Sequence, residues 1–141
     1  MNLLLILRAA GVSLIVLSLL HGVLWRKLSW GREIERLSPL NARVFAVHTF
    51  FIAFVLGALG LLSLVEPELL VAPSELARLL LTGIVVFWVA RLAIQPLVFD
   101  PVMRLGWTQS LVVRVGASLV WATYVAVYGT ALFGQIQAGP R

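Results

Sequence analysis

Four stretches of the chain stay apolar for long enough to cross a bilayer: Leu3–Leu24, Val44–Val65, Leu76–Val98 and Leu111–Phe133. A hydrocarbon core about 30 Å thick takes roughly 20 helical residues. Inside it every backbone N–H and C=O must find a partner within the protein, and a helix does so within its own segment. The expected fold class is therefore an all-α integral membrane protein, a four-transmembrane-helix bundle. Little chain is left for anything else. Of 141 residues 61% are hydrophobic and 12% charged, which excludes an ordinary soluble domain, so residues 1–141 are read as a single membrane domain.

The first apolar stretch is expected to be retained rather than cleaved as a leader. Arg8 lies inside it, and no small-x-small cleavage site precedes Trp25. The chain has no cysteine, which removes disulfides, thiolate metal sites and cysteine nucleophiles.

A formal net charge of +5 invites a nucleic-acid reading, but topology accounts for it. Arg26, Lys27, Arg32, Arg36 and Arg43 flank or fill the first connection, and Arg91, Arg104 and Arg114 surround the third. Only Arg8, Arg78 and Arg141 belong to the other side. The positive-inside rule then places residues 25–43 and the third connection in the cytoplasm, with both termini on the periplasmic or outer side. The expected location is the bacterial inner membrane, with no nucleic-acid partner.

Local signals mark the helix ends. Ser38-Pro39 reads as an N-cap followed by proline at the first helical position, and Ser74 caps the third span with Glu75 in its first turn. Asp100-Pro101 repeats the first device before Gly106. Trp25 and Trp30 suit the headgroup region, beside a short surface helix expected over Arg32–Leu37 and anchored by Ile34 and Leu37. Pro96 should disturb the end of span three, where its ring meets the carbonyl of residue 92.

Small residues indicate where helices can approach. Span four repeats Ser118, Ala122, Ala126, Thr130 and Gly134 at every fourth position; span two offers Ala46, Ala53, Gly57 and Gly60; span one offers Gly11, Ser18 and Gly22. Such rows admit a second backbone closely, as helix association in lipid requires.

One third of the bundle is expected to be polar. At 1.5 Å per residue, His21, His48, Arg91 and Arg114 all fall within the part of their spans nearest the cytoplasmic connections. Gln95 sits one turn from Arg91 with Trp88 on the same side, while Arg114, Ser118, Trp121 and Tyr128 share a face of span four. An arginine held over an indole ring is one way to keep a guanidinium there; snorkelling, pairing with Asp100 or contact with an anionic lipid are the others.

These residues support three functional expectations. The leading one is a small, non-catalytic subunit packed against a larger membrane complex, such as an electron-transfer or photosynthetic assembly. Arg91, Gln95, Arg114, Ser118, Ala122, Ala126 and Thr130 would be its lipid or partner contacts, and no cofactor is expected. The alternative is a cytochrome b-like or quinone-contacting redox subunit, with His21 and His48 as ligands of haem b. A small transporter or lipid-modifying protein is the third. Enzymatic activity is not expected, since no carboxylate lies within a span and no HExxH, GxSxG or Gly-rich phosphate loop occurs. Ser13, Thr82 and Thr123 are read as bonding back to their own helices.

Overall fold

The computed structural model describes residues 2–27, 30–99 and 111–138. These residues form helices and no strands: α1 (Leu3–Lys27), α2 (Trp30–Ile34), α3 (Pro39–Val65), α4 (Pro67–Val71), α5 (Glu75–Ile94), a π-helical turn (Gln95–Phe99) and α6 (Leu111–Gln137). Within them, Leu3–Lys27, Pro39–Val65, Glu75–Val98 and Arg114–Gln137 are long and apolar enough to cross a membrane, as an integral membrane protein requires. Three of these helices start or end a few residues beyond the apolar stretch that marks them, and α5 starts at the residue before its stretch. At 25 residues α1 is about 38 Å long, so its ends outrun a 30 Å hydrocarbon core.

The expected caps are present. Ser38 accepts the Asn41 N–H at 3.4 Å, with Pro39 opening α3, and Ser74 accepts the Ala77 N–H at 3.1 Å. Asp100-Pro101, Gly106 and the expected Asp100 contact of Arg91 lie outside the described residues. The surface helix differs from its expected bounds, running Trp30–Ile34 instead of Arg32–Leu37. The anchor is aromatic. Trp30 packs edge-on against Trp25 at 6.1 Å and Phe45 at 5.3 Å, whereas Leu37 is exposed.

The chain divides into two compact units, Met1–Pro67 and Glu68–Arg141. In the first, α1 packs along α3, and two glycines set the distance between them. A Cβ added to Gly11 would stand 2.7 Å from the Gly60 carbonyl oxygen and 2.7 Å from the Leu64 nitrogen. One added to Gly60 would stand 2.8 Å from the Gly11 oxygen. Backbone thus meets backbone, and three further residues of the expected rows join in. The Ser18 hydroxyl donates to the Ala53 carbonyl at 2.6 Å, and Gly57 faces Ser18. Leu7, Leu14 and Leu56 are buried on either side. Gly22 takes no part, since a Cβ there would meet nothing within 4 Å.

In the second unit α5 packs along α6. The buried residues of α5 are Ala77, Leu81, Ile84 and Trp88, and those of α6 are Tyr124, Tyr128, Ala131 and Gln135. Both follow alternating steps of three and four, the 3.5-residue period that keeps one seam facing a partner helix. The α6 row Ser118, Ala122, Ala126, Thr130 and Gly134 follows a period of four and drifts off this seam; its members after Ser118 are exposed. Ser13, Thr82, Thr123 and Thr130 each donate to a carbonyl one turn back in the same helix, at 2.8 Å.

Candidate functional site

The polar end of the second unit begins with Pro96. Having no N–H, and a ring that crowds the carbonyl four residues earlier, it cannot continue an α-helix without adjustment. The helix widens into the π-turn Gln95–Phe99. Single π-turns are frequent at functional sites. Gln95, the first residue of the turn, is 2% exposed.

Its amide oxygen is the hub. Arg91 Nη1 donates to Gln95 Oε1 at 3.1 Å, and Trp121 Nε1 of α6 donates to the same atom at 3.3 Å. Both lone pairs of the oxygen are used, the longer bond being the weaker. Arg91 also lies over the Trp121 ring, Cζ 4.6 Å from its centroid. Beneath this cation the rings are layered. Trp88 stacks on Trp121 at 5.5 Å and 14°, and on Tyr124 at 4.4 Å and 27°. A guanidinium gains about 2 kcal/mol or more from an aromatic face once water is withdrawn. That is comparable with the roughly 2.5–3.5 kcal/mol an arginine costs at the centre of a span, and Arg91 stands near the end of its span.

Beside it, Leu92 of α5 and Arg114, Val115, Ser118, Leu119 and Ala122 of α6 line a cleft of about 280 Å³. One cation, one hydroxyl and four apolar side chains suit an anionic amphiphile or the side chain of a neighbouring helix, and offer no general acid–base pair. Arg91, Gln95, Arg114, Ser118 and Ala122, singled out from the sequence, therefore lie in the hydrogen-bonded cluster or this adjoining cleft. Ala126 and Thr130 continue the same row up α6, outside the cleft.

The histidines are placed differently. His21 bonds through Nδ1 to the Leu17 carbonyl at 2.8 Å, and at 100° per residue it points within about 20° of the buried Leu14. His48 is exposed and lines a groove on α3 with Arg43, Val44, Val47 and Phe51. It points about 180° from Gly57, which faces α1. The first unit turns its two imidazoles to different sides. Among the described residues no three His, Asp or Glu side chains gather as metal donors.

Two polar residues escape sequence reading. Tyr124 enters the aromatic stack because it continues the three-four seam, a signal visible in the spacing 121, 124, 128, 131, 135. Gln135 ends that seam, 2% exposed, and its Nε2 donates to the carbonyls of Leu70 at 3.0 Å and Ala72 at 2.7 Å. It ties the last turn of α4 and the residue after it to α6. The chain matches no known protein-family model, no curated protein and no solved structure.

Proposed function

We propose that this protein is a small non-catalytic subunit of the bacterial inner membrane that packs against a larger membrane assembly through α6. The observation that carries this reading is the fate of the small-residue rows. Most of the α1 and α3 rows is consumed where Gly11 meets Gly60 and Ser18 meets Ala53 and Gly57. The row of α6, from Ser118 through Ala122, Ala126 and Thr130, lies off the seam that α5 covers. Its threonine hydroxyl is already bonded to the Ala126 carbonyl, so beyond Ser118 the row carries no side-chain polar group left to satisfy. In lipid such a face allows close van der Waals approach, the main force between helices there. Arg114 and the cleft beside it would mark the edge of the contact. The basic excess around the first and third connections supports a cytoplasmic position for both, with the termini outside.

The test is native purification at endogenous expression, with co-purifying proteins identified by mass spectrometry. Ala126→Leu should keep the thermal stability of the isolated protein and lose the partner. Wild type emerging alone, or Ala126→Leu keeping its partner, would sink the reading. A variant that unfolds as it loses the partner would assign the row to the protein's own packing instead.

A further inference from the structure

The last turns of α1 carry a second feature, independent of the α6 row. Leu19, Gly22, Val23, Arg26 and Lys27 lie at steps of three and four on one face and line a cleft of about 420 Å³. Gly22 forms the notch, because nothing stands within 4 Å of where its Cβ would be. Leu19 and Val23 flank it with apolar walls. Arg26 and Lys27 close one end, both exposed and neither paired with a carboxylate among the described residues.

The level of this cleft in a bilayer follows from its neighbours. Trp25, adjacent to Arg26, joins Trp30 and Phe45 in an aromatic cluster, with Trp25 6.2 Å from Phe45. Tryptophans of this kind sit at the headgroup boundary. Arg26 and Lys27 then stand among headgroups, while Gly22 and Leu19, one to two turns deeper, stand among acyl chains at about 1.5 Å per residue. Residues 25–43 contain five basic and two acidic side chains, Glu33 and Glu35, a local charge of +3. The carboxyl end of α1 opposes an anion with roughly half a negative charge, which two cations outweigh.

We infer that this cleft holds one anionic phospholipid, its phosphate on Arg26 and Lys27 and an acyl chain laid in the Gly22 notch between Leu19 and Val23. Charge alone would attract any anion to this end of the protein. The notch is what selects a lipid, since Gly22 takes no part in the α1–α3 contact and leaves room on this face for a chain.

The experiment measures lipid binding to the full chain in detergent micelles by native mass spectrometry. The probes are phosphatidylglycerol, phosphatidylcholine and glycerol 3-phosphate. Phosphatidylglycerol should bind, phosphatidylcholine should bind at least tenfold more weakly, and glycerol 3-phosphate should not be retained. Each basic side chain near a membrane surface contributes about fivefold in affinity, so the double variant Arg26→Gln/Lys27→Gln should lose roughly 10- to 30-fold. Gly22→Leu leaves every charge in place and its Cβ would meet nothing within 4 Å, so it should fold normally and still weaken phosphatidylglycerol by about fivefold or more. Unchanged binding by Gly22→Leu, equal binding of the two phospholipids, or retention of glycerol 3-phosphate without chains would each overturn the assignment.

Discussion

Gly11→Ala tests the first unit at its tightest point. The added methyl would lie 2.7 Å from the Gly60 oxygen and the Leu64 nitrogen, against about 3.4 Å for an ordinary contact. Both obstacles are backbone, so no side-chain rotation relieves them, and α1 and α3 must part by about 0.7 Å. A gap of that size forfeits a quarter to a half of each atom-pair attraction of about 0.1–0.2 kcal/mol. Over the roughly 40 pairs that one fully buried leucine makes, the loss is about 1–4 kcal/mol, and Leu7, Leu14 and Leu56 are all buried in this unit. The Ser18–Ala53 hydrogen bond would lengthen from 2.6 Å as the helices separate, costing about a further 0.6 kcal/mol. Alanine's better helix propensity offsets up to about 1 kcal/mol. The net expectation is destabilisation by about 1–3 kcal/mol, in line with overpacked cores generally. Titrating SDS into protein held in mild detergent, followed by tryptophan fluorescence, measures it. The control is Gly22→Ala, which meets nothing and should be neutral or slightly stabilising. Gly60→Ala should cost a similar amount, and the double variant less than the two together, because the helices separate only once. Equal stability of Gly11→Ala and Gly22→Ala would refute the close backbone approach.

Further outcomes follow from the second unit and from the topology. Gln95→Leu removes the acceptor shared by Arg91 and Trp121; it should cost about 1–3 kcal/mol in thermal unfolding and alter the near-ultraviolet circular dichroism of the Trp88–Trp121 stack. Arg91→Lys keeps the charge without the planar fork, so it should retain only part of the stability that Arg91→Leu loses; equal values for all three proteins would show a merely snorkelling arginine. Gln135→Leu should loosen the Leu70–Ala72 segment, seen as faster hydrogen exchange there while Trp88 and Trp121 report an unchanged stack. In intact cells Gly31→Cys should resist an impermeant thiol reagent and Ala72→Cys should react, and the reverse pattern would invert the topology. Because His21 and His48 face different sides, protein purified under haem-replete conditions should show no reduced-minus-oxidised b-type spectrum, and a band lost in His48→Ala would contradict this.

Sequence alone determined the four spans. In a bilayer the backbone must bond within its own segment, so length and apolarity suffice to place four spans, and the caps at Ser38 and Ser74 follow from the orphan N–H groups behind them. The chemistry of Pro96 likewise announced a disturbance at the end of α5, though not that it would take the form of a π-turn. Tertiary structure decided which faces meet. Hydropathy cannot say, because in lipid an apolar face gains nothing by leaving its neighbours for another helix, and the choice falls to shape. Two rows of small residues looked alike in α3 and α6, yet only the row at Gly57 and Gly60 found a complement in Gly11 and Ser18. In α6 the three-four seam of Trp121, Tyr124, Tyr128, Ala131 and Gln135 took the contact, since that period keeps facing α5 along its length while a period of four drifts away. Arg91 shows the same division. Its position four residues before Gln95 was legible, but the Trp121 ring that holds it comes from a helix thirty residues on, and only packing brings the two together.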